Sequence, residues 1–62
     1  MLGKKLRQIR KENNMTKQEL SIALNVQKER IKLYETGEEM PSDFYLDSFS
    51  QYFNISKNDL IE

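Results

Sequence analysis

Apolar residues recur along the chain at three- and four-residue spacing, and one arrangement of them occurs four times. An apolar residue is followed by a residue placed to cap a helix, and four positions after the cap stands another apolar residue. The sets are Met15-Thr16-Leu20, Val26-Gln27-Ile31, Pro41-Ser42-Leu46 and Ile55-Ser56-Leu60. This is the spacing of a hydrophobic staple around an N-cap, so each set predicts a helix that begins just after its cap. Thr16 with Glu19 forms the sequence of a capping box, and Ser56 with Asp59 a shorter-armed version. Gln27 is the weak member, because Gln caps poorly.

Together with the N-terminal segment, the pattern predicts five helices, over roughly 2–13, 17–24, 28–36, 43–53 and from about 57 to the end. Leu2, Leu6 and Ile9 give the first helix its apolar face. Leu20, Ala23 and Leu24 are the expected buried residues of the second. Asn25 tolerates the left-handed backbone that ends a helix, and Gly37 stops the third. The fold class is all-α: a five-helix domain over 1–62, without repeat, linker or low-complexity tract.

Composition narrows what such a domain does. Its 62 residues include no Cys and no His. Disulfides and thiolate metal sites are therefore absent, as are the commonest general base and the commonest metal ligand. Gly3 and Gly37 lie too far apart for a glycine-rich phosphate cradle. No apolar run approaches the ~20 residues of a membrane span, and no signal-peptide core follows the charged N-terminus. No cofactor or metal is expected, and the scattered carboxylates make no catalytic constellation. A soluble, cytoplasmic binding module is the class that remains.

The formal net charge is +0, but the charges are unevenly placed. Residues 1–34 carry nine Lys and Arg against three Glu, a balance of +6. Residues 35–62 carry Lys57 alone against seven carboxylates, a balance of −6. A basic half suits an anionic partner. The plainer reading, charges distributed by chance over solvated helices, is equally compatible with charge alone.

The second and third helices are separated by very few residues, around Asn25-Val26, which makes a helix-turn-helix over about 16–36. The run Met15-Thr16-Lys17-Gln18-Glu19-Leu20-Ser21-Ile22-Ala23-Leu24-Asn25-Val26, continued by Ile31, Tyr34-Glu35 and Gly37, resembles the phage-repressor family (Cro-like, Xre-type). Leu6 and Arg10 upstream, and Pro41-Ser42, Leu46, Phe49, Phe53, Ile55-Ser56 and Leu60-Ile61 downstream, keep the same register. The resemblance implies a DNA-binding domain of a bacterial or phage transcriptional regulator, such as a repressor, associated with the nucleoid and often dimeric. Its recognition helix, about 28–36, would enter the major groove of double-stranded DNA.

At about 100° per residue, Ile31 and Tyr34 share the inner face of that helix. Lys28, Glu29, Lys32, Leu33 and Thr36 share the outer face. The resemblance places Gln27, Lys28, Glu29 and Leu33 at base-reading positions. Lys28 suits guanine O6 and N7, Glu29 cytosine N4, Gln27 adenine or a phosphate, and Leu33 a thymine methyl. It also implies a phosphate contact for Lys17, with Lys32, Thr36 and Arg10 as further candidates, and a structural ion pair between Arg10 and Glu35. A purely solvated helix surface is the competing reading of the same residues.

Several positions depart from the family. Glu38-Glu39 stand where relatives carry Lys or Arg close to the DNA backbone, and two carboxylates there would repel phosphates. Asn25 replaces a Gly and Ser21 an Ala. On the fourth helix, Leu46, Phe49 and Phe53 form the core stripe, with Tyr45 and Tyr52 at its edge and Phe44 opposite. Phe44, Tyr45 and Tyr52 are the candidates for a homodimer contact. Leu60-Ile61-Glu62 carries no stop signal, so a further C-terminal domain and a complete mini-regulator both fit. The acidic loop and the zero net charge favour a second function, a protein-interaction module of the same fold acting as an antitoxin-like or anti-repressor partner. The basic half and the family register favour DNA.

Overall fold

The computed structural model describes residues 2–61 and places five helices in them: α1 (Leu2–Glu12), α2 (Lys17–Leu24), α3 (Lys28–Thr36), α4 (Asp43–Phe53) and α5 (Lys57–Ile61). Three of the four junctions between them are built alike. Asn14, Asn25 and Asn54 take the left-handed conformation, with φ of 57°, 56° and 57°. The next residue in each case donates its N–H five residues back: Met15 to Arg10 O at 3.2 Å, Val26 to Ser21 O at 3.0 Å and Ile55 to Ser50 O at 2.9 Å. These bonds satisfy carbonyls that the helix end leaves open. Met15, Val26 and Ile55 then pack against the core. The same three residues precede the caps of the following helices, so each closes one helix and staples the next. The fourth junction is longer, opened by Gly37 at φ 86°.

The caps differ in quality. Thr16 Oγ1 accepts from Glu19 N at 3.0 Å, and Glu19 Oε1 accepts from Thr16 N at 2.8 Å, a complete capping box. Ser42 Oγ accepts from Tyr45 N at 3.1 Å. Gln27 makes no side-chain cap. Ser56 Oγ accepts from Asn58 N at 3.2 Å, and among the described residues Ser56 N–H makes no returning bond to the Asp59 carboxylate.

Leu6, Ile9, Leu20, Leu24, Ile31, Tyr34, Tyr45, Leu46, Phe49 and Leu60 form one core. α3 packs on α1 and α2, α4 on α2 and α5, and α5 returns to α1. Lys5 Nζ donates to the Asp59 carbonyl across that last contact. Two expectations are corrected. Ala23 is exposed, because α2 turns only Leu20 and Leu24 inward. Tyr45 is only 2% exposed and is therefore no dimer-contact candidate. Its ring centroid lies 4.7 Å from that of Tyr34 and 5.9 Å from that of Phe49. Burial, helped by the charge of Glu35, pushes the ionisation of its hydroxyl above the usual range.

Gly3 marks a close approach that periodicity does not reveal. A Cβ there would lie 2.5 Å from the carbonyl oxygen of Tyr34 and 2.8 Å from that of Glu35. Both are backbone atoms, so the start of α1 would have to withdraw from the end of α3. Gly3→Ala is expected to destabilise the domain by about 1–3 kcal/mol, against the ~1 kcal/mol that Ala gains in helix propensity. Thermal melting of the two proteins measures the balance. An unchanged or raised Tm would contradict the contact.

Candidate nucleic-acid interface

The junction Asn25-Val26-Gln27 joins α2 to α3, and the first turn of each helix carries open backbone donors. The capping box occupies the N–H of Glu19, and Leu20 N bonds Thr16 O at 3.0 Å. The N–H groups of Lys17 and Gln18 have no partner among the described residues. In α3 the first intrahelical bonds start at Arg30, whose N–H reaches Gln27 O at 3.0 Å. Oriented donors of this kind, at the positive end of a helix dipole, suit an anion.

The side chains around these ends fall as the wheel predicts. Ile31 and Tyr34 are buried, while Gln27, Lys28, Glu29, Lys32 and Thr36 are exposed and Leu33 is half-buried. Lys28, Glu29 and Lys32 have no ion-pair partner among the described residues. Gln27, which caps nothing, keeps its amide available. Lys17 is half-buried beside the start of α2. Thr36 Oγ1 already has two acceptors for its single proton, Leu33 O at 3.2 Å and Glu38 Oε2 at 3.0 Å.

Arg10 and Glu35 form a buried fork. Nε meets Glu35 Oε2 at 2.7 Å and Nη2 meets Oε1 at 3.1 Å. Nη1 donates to Met15 O at 2.7 Å. One guanidinium thus ties α1, the first junction and the last turn of α3 together. Paired bonds of this kind fix orientation as well as distance. Arg10 is 4% exposed and its donors point inward, so the phosphate role also expected of it is withdrawn.

The acidic loop behaves differently from its reading in sequence. Glu39 is turned back onto the Arg30 guanidinium, and Glu38 accepts the bond from Thr36. The loop is therefore partly neutralised by its own neighbours. The Arg30–Glu39 pair spans nine positions across a helix end, where no short-range spacing rule applies. On α4, Phe44 is 74% exposed and Tyr52 51% exposed, and Tyr52 lines a cleft with Met15 and Glu19 beside the start of α2.

Two short helices joined by a tight left-handed turn, the second with a buried inner face and an unpaired outer one, define a helix-turn-helix domain. The helix-turn-helix family model matches residues 6–60, and the chain belongs to this family, of the Cro/C1 type. Among solved structures, the chain is similar to SinR, described as the master regulator for biofilm formation, in a crystal structure in complex with DNA. The two share 27% identity and a TM-score of 0.92, over 100% of this chain and 100% of that one. No curated protein matches the sequence. No described helix is long and apolar enough to cross a membrane.

Proposed function

We propose that the domain is the sequence-specific DNA-binding unit of a transcriptional regulator, with α3 in the major groove of double-stranded DNA and the start of α2 on the flanking backbone. The observation that carries this is the joint exposure of two donor-rich helix starts with unpaired polar side chains on the outer face of α3. A match to a DNA-bound structure over the whole chain supports it. Gln27, Lys28, Glu29 and Leu33 are assigned to bases, and Lys17 and Lys32 to phosphates, with Thr36 beside them. Phe44 and Tyr52 remain the proposed homodimer contact.

A selection from random duplex DNA at low and at physiological salt tests the function. Enrichment of one motif supports it. The absence of any enrichment at either salt would transfer the assignment to protein interaction. Two variants then separate holding from reading. Lys17→Ala should weaken binding alike on all sequences and lower the log–log salt slope by about one unit. A sequence-selective loss with an unchanged slope would contradict the phosphate role. Glu29→Gln replaces an acceptor suited to cytosine by an amide suited to adenine. The preferred base should change at one position of each half-site, with stability held within about 0.5 kcal/mol. Base-substituted duplexes measure the first, thermal melting the second.

A further inference from the structure

The ten lysines and arginines divide into two groups by what they touch. Four are engaged: Lys5 with the Asp59 carbonyl, Arg10 with Glu35, Arg30 with Glu39, and Lys57 with Asp47 at 3.2 Å and Asp43 at 3.8 Å. The other six have no side-chain hydrogen bond or ion pair among the described residues. Lys17, Lys28 and Lys32 belong to the helix-turn-helix. The remaining three, Lys4, Arg7 and Lys11, are all exposed and all on α1.

Their spacing of three and then four residues puts them on one stripe, opposite the buried Leu6 and Ile9. The carboxylate nearest in sequence, Glu12, accepts from Gln8 Nε2 at 3.1 Å and pairs with none of them. At one end of the stripe, Arg7 and Lys11 share a cleft with Lys17 at the start of α2. At the other, Lys4 lines a recess together with Thr36 at the end of α3. The stripe thus runs from the start of α2, assigned to the DNA backbone, to the recess beside Thr36 at the end of α3, which Glu39 also lines. From Lys4 to Lys11 it is about 10 Å long at 1.5 Å per residue. Laid parallel to the duplex axis, that length matches roughly three nucleotide steps of one strand.

We infer that Lys4, Arg7 and Lys11 form a second phosphate-binding track, which carries the contact with one DNA strand outward beyond the base pairs that α3 reads. The inference rests on the duplex binding proposed above. Unpaired cations in a row cost the fold self-repulsion, and a polyanion that runs along the row relieves it. The track adds affinity and footprint without base preference, since phosphate contacts position and do not specify.

The test uses the tightest duplex recovered from the random pool, with flanks of ten or more base pairs, and the variant carrying Lys4→Gln, Arg7→Gln and Lys11→Gln. All three positions are exposed, so the variant should keep its helical circular dichroism and its melting temperature. Phosphate ethylation interference on the unaltered domain should show contacts outside the selected base pairs. The variant should lose those outer contacts and keep the inner ones. Its log–log salt slope should fall by about two to three units, near 0.9 per phosphate released. Between 50 and 200 mM salt the unaltered domain should then lose up to about 40-fold more affinity than the variant. The same ethylation pattern and slope for both proteins would overturn the track, and is what a stripe that binds an acidic protein surface would give. Uniform fading of every band would overturn it as well. An unaltered domain that binds no duplex at all would overturn the DNA reading first, and the track with it.

Discussion

Glu35→Ala is expected to destabilise the domain by about 3–5 kcal/mol, because it leaves the Arg10 guanidinium buried without its counter-charge. The fork is 5% exposed on the Arg10 side and 3% on the Glu35 side, so water cannot take over the lost bonds without opening the helix contact. The loss extends past one pair. Arg10 also holds Met15 O, so the junction before α2 loosens with the end of α3. Replacing both partners by apolar residues, as in Arg10→Met with Glu35→Leu, should recover much of the loss, since no charge is then left stranded. Urea unfolding followed by circular dichroism measures all three proteins. A loss below 1 kcal/mol for Glu35→Ala would show that the guanidinium finds other partners. Recovery in the double variant would show that the pair is replaceable for stability, whatever it adds in precision.

Ile31→Ala should cost about 2–5 kcal/mol, the range for removing a large aliphatic side chain from a packed interior. Ile31 is 0% exposed and sits where α3 meets α1 and α2. At roughly 0.05–0.15 kcal/mol per residue, a domain of this length holds only about 3–9 kcal/mol in total. The substitution removes a large share of that, and the variant should be partly unfolded well below the parent melting temperature. Two residues earlier on the same helix, Glu29→Gln should leave melting unchanged and alter the preferred base. That contrast between neighbours is the sharpest test of the two faces of α3. Equal effects on stability would mean that the helix is rotated from the orientation described.

Helix positions were legible because the chain marks its own starts. Thr16 and Ser42, with the apolar residues around them, placed α2 and α4 at the observed first residues. The faces of α3 were legible too, since nine residues give more than two turns of periodicity. Widths of faces were not. Periodicity locates the centre of an apolar stripe, and the neighbours decide how far the stripe is covered. Tyr45, at the edge of the α4 stripe, is buried because Tyr34 meets it from α3. Ala23, at the expected spacing on α2, stays exposed in an open cleft that Met15, Tyr52 and Phe53 also line. Gly3 gave no signal, because two helices approaching within a side chain's breadth is a tertiary event. The same holds for the interface. Which residues can face DNA followed from the register, whereas the withdrawal of Arg10, the pairing of Arg30 and the isolation of Lys4, Arg7 and Lys11 depend on where other side chains lie.

The junction residues Met15, Val26 and Ile55 each serve two helices at once. At these three junctions neither helix therefore has an end of its own to fray. Releasing the last turn of α1 also releases the staple of α2. The same coupling passes from α2 to α3 and from α4 to α5. Amide exchange in most proteins spans a ladder of local openings, from loose segments to the full unfolding free energy. Here the ladder should be short. Amides of α1, α2 and α3 should exchange by one shared opening, close in free energy to global unfolding. The longer junction after Gly37 is the one seam at which the chain can part into two cooperative blocks.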